Sequence, residues 1–187
     1  GGLSSASLVL DSCESSSADY AQLAKLVAGD AAAGDGFGTS VAVDGDNVVI
    51  GATGAGTGGA VYVLRTSDGG ATYVEVAKLT ASDAATYDKF GWSVAIDGDT
   101  VVIGATGAGT GGAAYVLRTT DGGATYDEVA KLTASDAAAD DSFGISVAID
   151  GNTIVVGANG DDDAGSRSGS AYVFRTTDGG ATYGQLA

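Results

Sequence analysis

The sequence predicts an all-β protein of β-propeller type, made of three four-stranded antiparallel repeats and left open, to be completed by another chain. Three observations predict it. The pair Phe-Gly recurs at Phe37-Gly38, Phe90-Gly91 and Phe143-Gly144, and the two intervals are equal. A second block, Arg-Thr-x-Asp-Gly-Gly-Ala-Thr-Tyr, recurs at residues 65–73, 118–126 and 175–183, the last interval being longer, so the third unit carries an insertion. Within each unit four strand signals alternate with turn signals, the pattern of a propeller blade of about 50 residues.

The second unit shows the elements in order. Residues 90–96 alternate, with Val94 and Ile96 on one side and Ser93 and Ala95 on the other, as in a strand with two unlike faces. Asp97-Gly98-Asp99 supplies a hairpin turn. Residues 100–105 (TVVIGA) form an unbroken apolar run, which predicts a strand covered on both faces. A Gly-rich loop leads to a third strand at 113–119, and Asp121-Gly122-Gly123 turns the chain into a fourth at 126–133. Residues 134–142 make a polar loop, in which 136–140 have the composition of a helical turn. The repeats therefore span about 37–89, 90–142 and 143–187 within a unit of 20–187. Residues 20–30 (YAQLAKLVAGD) match 73–83 and 126–136, which predicts an orphan fourth strand ahead of the first Phe-Gly. Residues 1–19 read as a linker with one extra strand, at 3–11.

Composition narrows the function. A formal net charge of −16, from 24 acidic and 8 basic residues, repels nucleic acid and anionic lipid. No apolar run is long enough for a membrane helix. The chain begins at Gly1 without a signal-peptide apolar core, as a processed product or an excised fragment would. With no histidine there is no imidazole base or ligand, and the arginines and glutamates fall in repeat columns rather than converging on one place. No residue is assigned catalytic work. Arg65, Arg118 and Arg175 are expected to pair with local acid beside their own turns.

The Phe-Gly and Gly-Ala blocks resemble FG-GAP repeats, the blades of integrin α-subunit propellers and their relatives, over about residues 20–187. The resemblance implies a propeller-type fold. Integrin-type blades often carry a calcium loop between the first two strands, but here that connection is only Asp44-Gly45-Asp46, Asp97-Gly98-Asp99 or Asp150-Gly151-Asn152. Turns this tight cannot wrap the six to eight oxygens that Ca²⁺ takes. The second block resembles the Asp-box of sialidase-like propellers, which implies a structural turn held by Asp68, Asp121 and Asp178.

Repeat symmetry breaks at residues 159–170 (NGDDDAGSRSGS). Asp161, Asp162 and Asp163 there are candidate Ca²⁺ ligands with help from Ser166, the alternative being a solvated acidic loop with Arg167 as counter-ion. Asp30/Asp35, Asp83/Asp88 and Asp136/Asp141 precede each Phe and are expected to cap turns, or to bridge cations between blades. Cys13, the one cysteine, has no internal partner and is a candidate for an intermolecular disulfide. The expected protein is a non-enzymatic structural or adhesive module, extracellular or at the cell surface. It would self-assemble as a ring or filament by strand completion in trans, the other resolution of its unmatched ends being that the chain is a piece of a longer array. The alternative is a carbohydrate- or protein-ligand-binding propeller using Trp92 and Tyr87; a glycosidase-like enzyme ranks third.

Overall fold

A computed structural model describes residues 22–186. The expected strand at 3–11 and Cys13 lie outside them. Twelve strands form three sheets of four, each a simple meander: β1 (Phe37–Asp44), β2 (Asn47–Ala52), β3 (Ala60–Arg65) and β4 (Val74–Leu79); β5 (Phe90–Asp97), β6 (Thr100–Ala105), β7 (Ala113–Arg118) and β8 (Asp127–Leu132); β9 (Phe143–Asp150), β10 (Thr153–Ala158), β11 (Ser170–Arg175) and β12 (Gly184–Leu186). Every ladder is antiparallel. The first strands β1, β5 and β9 stand side by side, so the sheets stack face to face as consecutive blades.

Each blade opens with the Phe-Gly step. Gly38, Gly91 and Gly144 take φ of 93°, 89° and 88°, a region that side-chain-bearing residues avoid. The ladder slips just there, between Phe37 and Ser40 and between Phe90 and Ser93, a bulge that lets the phenyl ring turn inward before regular pairing begins. Phe90 then meets Tyr115 edge-on, ring centroids 5.3 Å apart, and Phe37 meets Tyr62 at 5.4 Å.

Two apolar cores lie between the blades. Val49, Val61 and Val63 of the first blade pack on Phe90, Val94, Val101, Ile103 and Tyr115 of the second. Val102, Ala114 and Val116 of the second pack on Phe143, Ile154, Val156 and Phe174 of the third. The middle blade is thus covered on both faces, and all six residues of β6 are buried, as its unbroken apolar run requires. In β10 burial alternates instead, because one face of the third blade has no neighbour among the described residues.

Residues 22–30, the described part of the expected orphan fourth strand, join no ladder, since no third strand precedes them among the described residues. Leu26 and Ala28 nonetheless pack on the first blade, where Leu79 and Ala81 pack on the second. Residues 136–140 form turns rather than a helical turn, Ala137 N–H returning to the Ala134 carbonyl.

Phe90 is fully buried between two blades, whereas Phe37 is only half-buried. Phe90→Ala is therefore expected to cost about 3–5 kcal/mol in denaturant unfolding, and Phe37→Ala clearly less. Equal costs would contradict this account of the stack.

Candidate functional site

The second recurring block builds a closed turn. Thr66 Oγ1 donates to Asp68 Oδ1 at 2.8 Å and accepts from the Gly70 N–H at 2.8 Å. Thr72 then donates to Asp68 from both its hydroxyl (2.6 Å) and its N–H (2.9 Å). The same set surrounds Asp121 and Asp178. Bonds from the Thr72 hydroxyl, then its N–H, then Thr66 hold the Asp68 carboxyl down at about 2. Asp121 and Asp178 are lowered in the same way, by Thr125 and Thr182. These carboxylates have their acceptor sites filled by their own turn and are braces.

Arg65 and Arg118 act across blades, which corrects the expectation of local acid partners for these two. Arg65 donates to the Gly122 carbonyl of the second blade at 2.5 Å, and its Nε donates to Asn47 Oδ1 at 2.7 Å. Arg118 donates in the same way to the Gly179 carbonyl of the third blade. The guanidinium lies so close over the next turn that a Cβ on Gly123 or Gly180 would overlap it. Two more bonds recur at each junction. Ser40 and Ser93 donate to the Gly91 and Gly144 carbonyls (2.7 and 2.8 Å), and Asp44 and Asp97 accept from the Gly98 and Gly151 N–H groups (2.7 and 2.6 Å). The inner strand also docks through its first residue, Phe90 N–H to the Gly58 carbonyl and Phe143 N–H to Gly111, both at 2.7 Å.

The end blades hold the unmatched halves of this pattern. On the third blade, Ser146, Asp150 and Arg175 are exposed, whereas their counterparts in the first two blades are partly buried. On the first blade, Gly38 is exposed where Gly91 and Gly144 are buried. Val41 and Val43 are 68% and 70% exposed, although Val94, in the column of Val41, is 9% exposed.

At the rim, Asp30, Asp83 and Asp136 accept the hydroxyls of Tyr62, Tyr115 and Tyr172 at 2.8, 2.8 and 2.9 Å. They are braces between the inter-blade loop and the third strand. Asp35, Asp88 and Asp141 do cap turns, each accepting the N–H three residues earlier at 2.6–2.7 Å. Lys78 and Lys131 complete the first two braces at 2.5 and 2.6 Å, and that ammonium, then the tyrosine hydroxyl, lowers the pKa of Asp30 and Asp83. The third brace differs. Asp136 is joined by Asp161 and Asp163, with one carboxylate oxygen from each within 4.8 Å of the others. Tyr172 also donates to Asp161 at 2.6 Å, which lowers that carboxyl, while the negative charges of Asp161 and then Asp136 raise Asp163. The expected Asp161–Asp163 set is therefore only partly assembled. Asp162 is not part of the group and lines a hollow with Arg167, and the third acid is Asp136, from the loop between β8 and β9. Its register with Asp30 and Asp83 was the signal that placed it near Tyr172.

Trp92 and Tyr87 share a groove of about 330 Å³ between the first two blades, with Lys89 5.1 Å over the indole ring. Tyr87 and Lys89 take φ of 73° and 59°, where the first blade has Gly34 and Gly36.

Comparison with known proteins accords with this architecture. The sequence model of the FG-GAP repeat matches residues 20–64, 73–117 and 126–174. The chain belongs to the FG-GAP repeat family. No curated protein matches it. Among solved structures it is similar to Saccharomyces cerevisiae Sqt1, at 12% identity and a TM-score of 0.51, over 82% of this chain and 35% of that one. A protein of unknown function from Dyadobacter fermentans DSM 18053 aligns at 15% identity and a TM-score of 0.49, over 79% of this chain and 49% of that one. The chain thus spans about a third of the first and half of the second. Sqt1 informs the fold alone.

FG-GAP repeats are typically non-enzymatic and commonly extracellular. Among the described residues no helix is long and apolar enough to cross a membrane. The second and third family matches start at Tyr73 and Tyr126, just ahead of β4 and β8, and end at Leu117 and Phe174, in the third strand of the next blade. Sequence repeat and structural blade are out of phase, so the second and third repeats each tie two blades together.

Two predictions follow from the polar columns. Arg118 Nε is buried without a partner among the described residues, because Thr100 stands where Asn47 serves Arg65. Thr100→Asn should raise the unfolding free energy by about 1 kcal/mol, and a loss of stability would refute the assigned contact. The Asp-box carboxyls have folded values below the ordinary 3.8, so their contribution is full above that value and is lost as pH falls through the folded one, about 2 for Asp68. Unfolding midpoints measured from about pH 5 down to about pH 2 should drop steeply, and less steeply in Asp121→Asn.

Proposed function

We propose that this chain is a non-enzymatic structural or adhesive repeat module of the extracellular space or cell surface, working by association with further copies of itself. One observation carries the reading: the bonds that join neighbouring blades occur twice among the described residues, and the outer faces of the first and third blades carry halves of the same pattern with no mate there. The polar residues that recur, Asp68, Arg65, Ser40, Asp44 and Asp30 with their counterparts, make turns and junctions. That use supports a scaffold rather than a catalyst.

Strand completion in trans fits the sequence of the ends. Residues 20–24 (YAQLA) nearly duplicate 183–187 (YGQLA), the stretch that contains β12. β12 pairs only with Val173, Phe174 and Arg175, whereas β4 extends along β3 as far as Val61. A copy whose Leu26 and Ala28 rest on its own first blade would direct residues 20–25 to the β11 edge of the next copy, where they would take the place of β12 at Val173–Arg175 and run on beyond it. Head-to-tail contacts of this kind close into rings or run on as filaments.

A second reading concerns ligands. Asp136, Asp161 and Asp163 offer three carboxylate oxygens to Ca²⁺, about half the number it takes, the remainder falling to carbonyls and water. The Trp92–Tyr87 groove offers aromatic faces to a sugar or a protein segment.

Light scattering with negative-stain microscopy tests the leading reading. Mass should rise with protein concentration, and further with salt, since screening weakens repulsion between copies of net charge −16. A mass of 18.0 kDa under all conditions would sink it. A mass that falls with reductant would implicate Cys13, and one that rises with Ca²⁺ and not in Asp163→Asn would implicate the rim carboxylates.

A further inference from the structure

We propose that the open face of the third blade is a docking surface for the first blade of a second copy, which it accepts by repeating the internal junction. This deepens the self-association reading and rests on it, but it names a contact separate from strand addition.

Every half-bond has its complement at the other end. Ser146 Oγ stands in the column of Ser40 and Ser93, and its acceptor would be the exposed Gly38 carbonyl of the partner blade. Asp150 follows Asp44 and Asp97, and would accept from Gly45 N–H. Arg175 follows Arg65 and Arg118, and would donate to the Gly69 carbonyl. Ser168 follows Gly58 and Gly111, and its carbonyl would take the N–H of Phe37. None of these groups makes the corresponding bond among the described residues.

The apolar surfaces correspond as well. Val155 is 36% exposed, whereas Val49 and Val102 in its column are fully buried under the following blade. On the first blade Val41 and Val43 occupy the columns of Val94 and Ile96, which pack on the preceding blade. Docking would cover these three valines and bring the partner's Phe37 to the burial of Phe90.

Gly157 identifies the recess. Its backbone is ordinary strand, so its own conformation does not call for glycine. Gly51 and Gly104 need glycine because a Cβ would overlap the Gly91 or Gly144 carbonyl of the following blade. At Gly157 the atoms nearest to a Cβ would be side-chain atoms of Ser146 and Ile145, with no carbonyl among them. The third blade therefore keeps the same backbone-wide slot, with nothing among the described residues seated in it. A slot shaped for a Phe-Gly carbonyl, flanked by the junction's own donors and acceptors, fits another blade of this chain better than an unrelated partner.

Two variants, each blocked at one end, test this. Gly157→Ala puts a methyl group in the slot while Ser146 Oγ can rotate away. Val41→Lys with Val43→Lys alters side chains already in solvent on the first blade. Circular dichroism and thermal melting confirm that both fold. Each variant alone should stay at 18.0 kDa under conditions where the unaltered chain grows, and an equimolar mixture should stop at twice that mass. Variants that assemble like the unaltered chain would overturn the docking surface while leaving self-association by strand addition standing. So would a mixture that remains monomeric. An unaltered chain that never grows, its slot closed by residues of its own such as 3–11, would overturn both.

Discussion

Blade stacking here rests on backbone meeting backbone. At each internal junction the carbonyl of the Phe-Gly step sits directly on a strand glycine of the blade before it, Gly91 on Gly51 and Gly144 on Gly104. No side chain fits between, so the sheets approach closely at the inner strand and diverge outward. The same approach carries Phe90 and Phe143 into full burial and brings their rings onto Tyr115 and Tyr172. The bulge after Phe, the positive φ of the following glycine and the serine that clips the carbonyl all serve this one contact.

Apolar burial and the polar clips divide the work. The valines and isoleucines of the two cores supply most of the free energy of stacking, because burial scales with area and is indifferent to detail. Side chains of that kind would tolerate a blade shifted or rotated on its neighbour. The clips would not: Ser to carbonyl, Asp to N–H and Arg to turn each meet one atom at one register. Partly solvated bonds of this kind contribute modestly to stability, but their directionality selects a single stacking geometry.

Much of the architecture was legible because it is local. Asp97-Gly98-Asp99 and the Asp-box turns close within a few residues, and β6 is covered on both faces, as its unbroken apolar run implies. What was illegible depends on partners in the next blade. Arg65 stands beside its own Asp68 in sequence, and nothing local says that its guanidinium crosses to Gly122. The acid group at Tyr172 unites Asp136 with Asp161, residues on opposite sides of a strand pair, while the adjacent Asp162 turns away. Residues 22–28 carry the fourth-strand pattern without a ladder, because no third strand precedes them among the described residues.

The likeness of the three blades bears on how the chain reaches its native order. β4 and β8 end in the same Val-Ala-Lys-Leu run, and β3 and β7 share Tyr-Val-Leu-Arg, so β8 matches the β3 edge almost as well as the β7 edge. Local energetics hardly discriminate between native and swapped pairings during synthesis or refolding. The chain relies on proximity instead, since closing the short turn between successive strands is entropically cheaper than reaching across a blade. Near-duplicate neighbours of this kind favour kinetic traps in which blades exchange strands, within a molecule or between nascent molecules at high local concentration. Departures such as Trp92, Asn47 and the insertion before β11 then act as sequence addresses that keep otherwise interchangeable units apart.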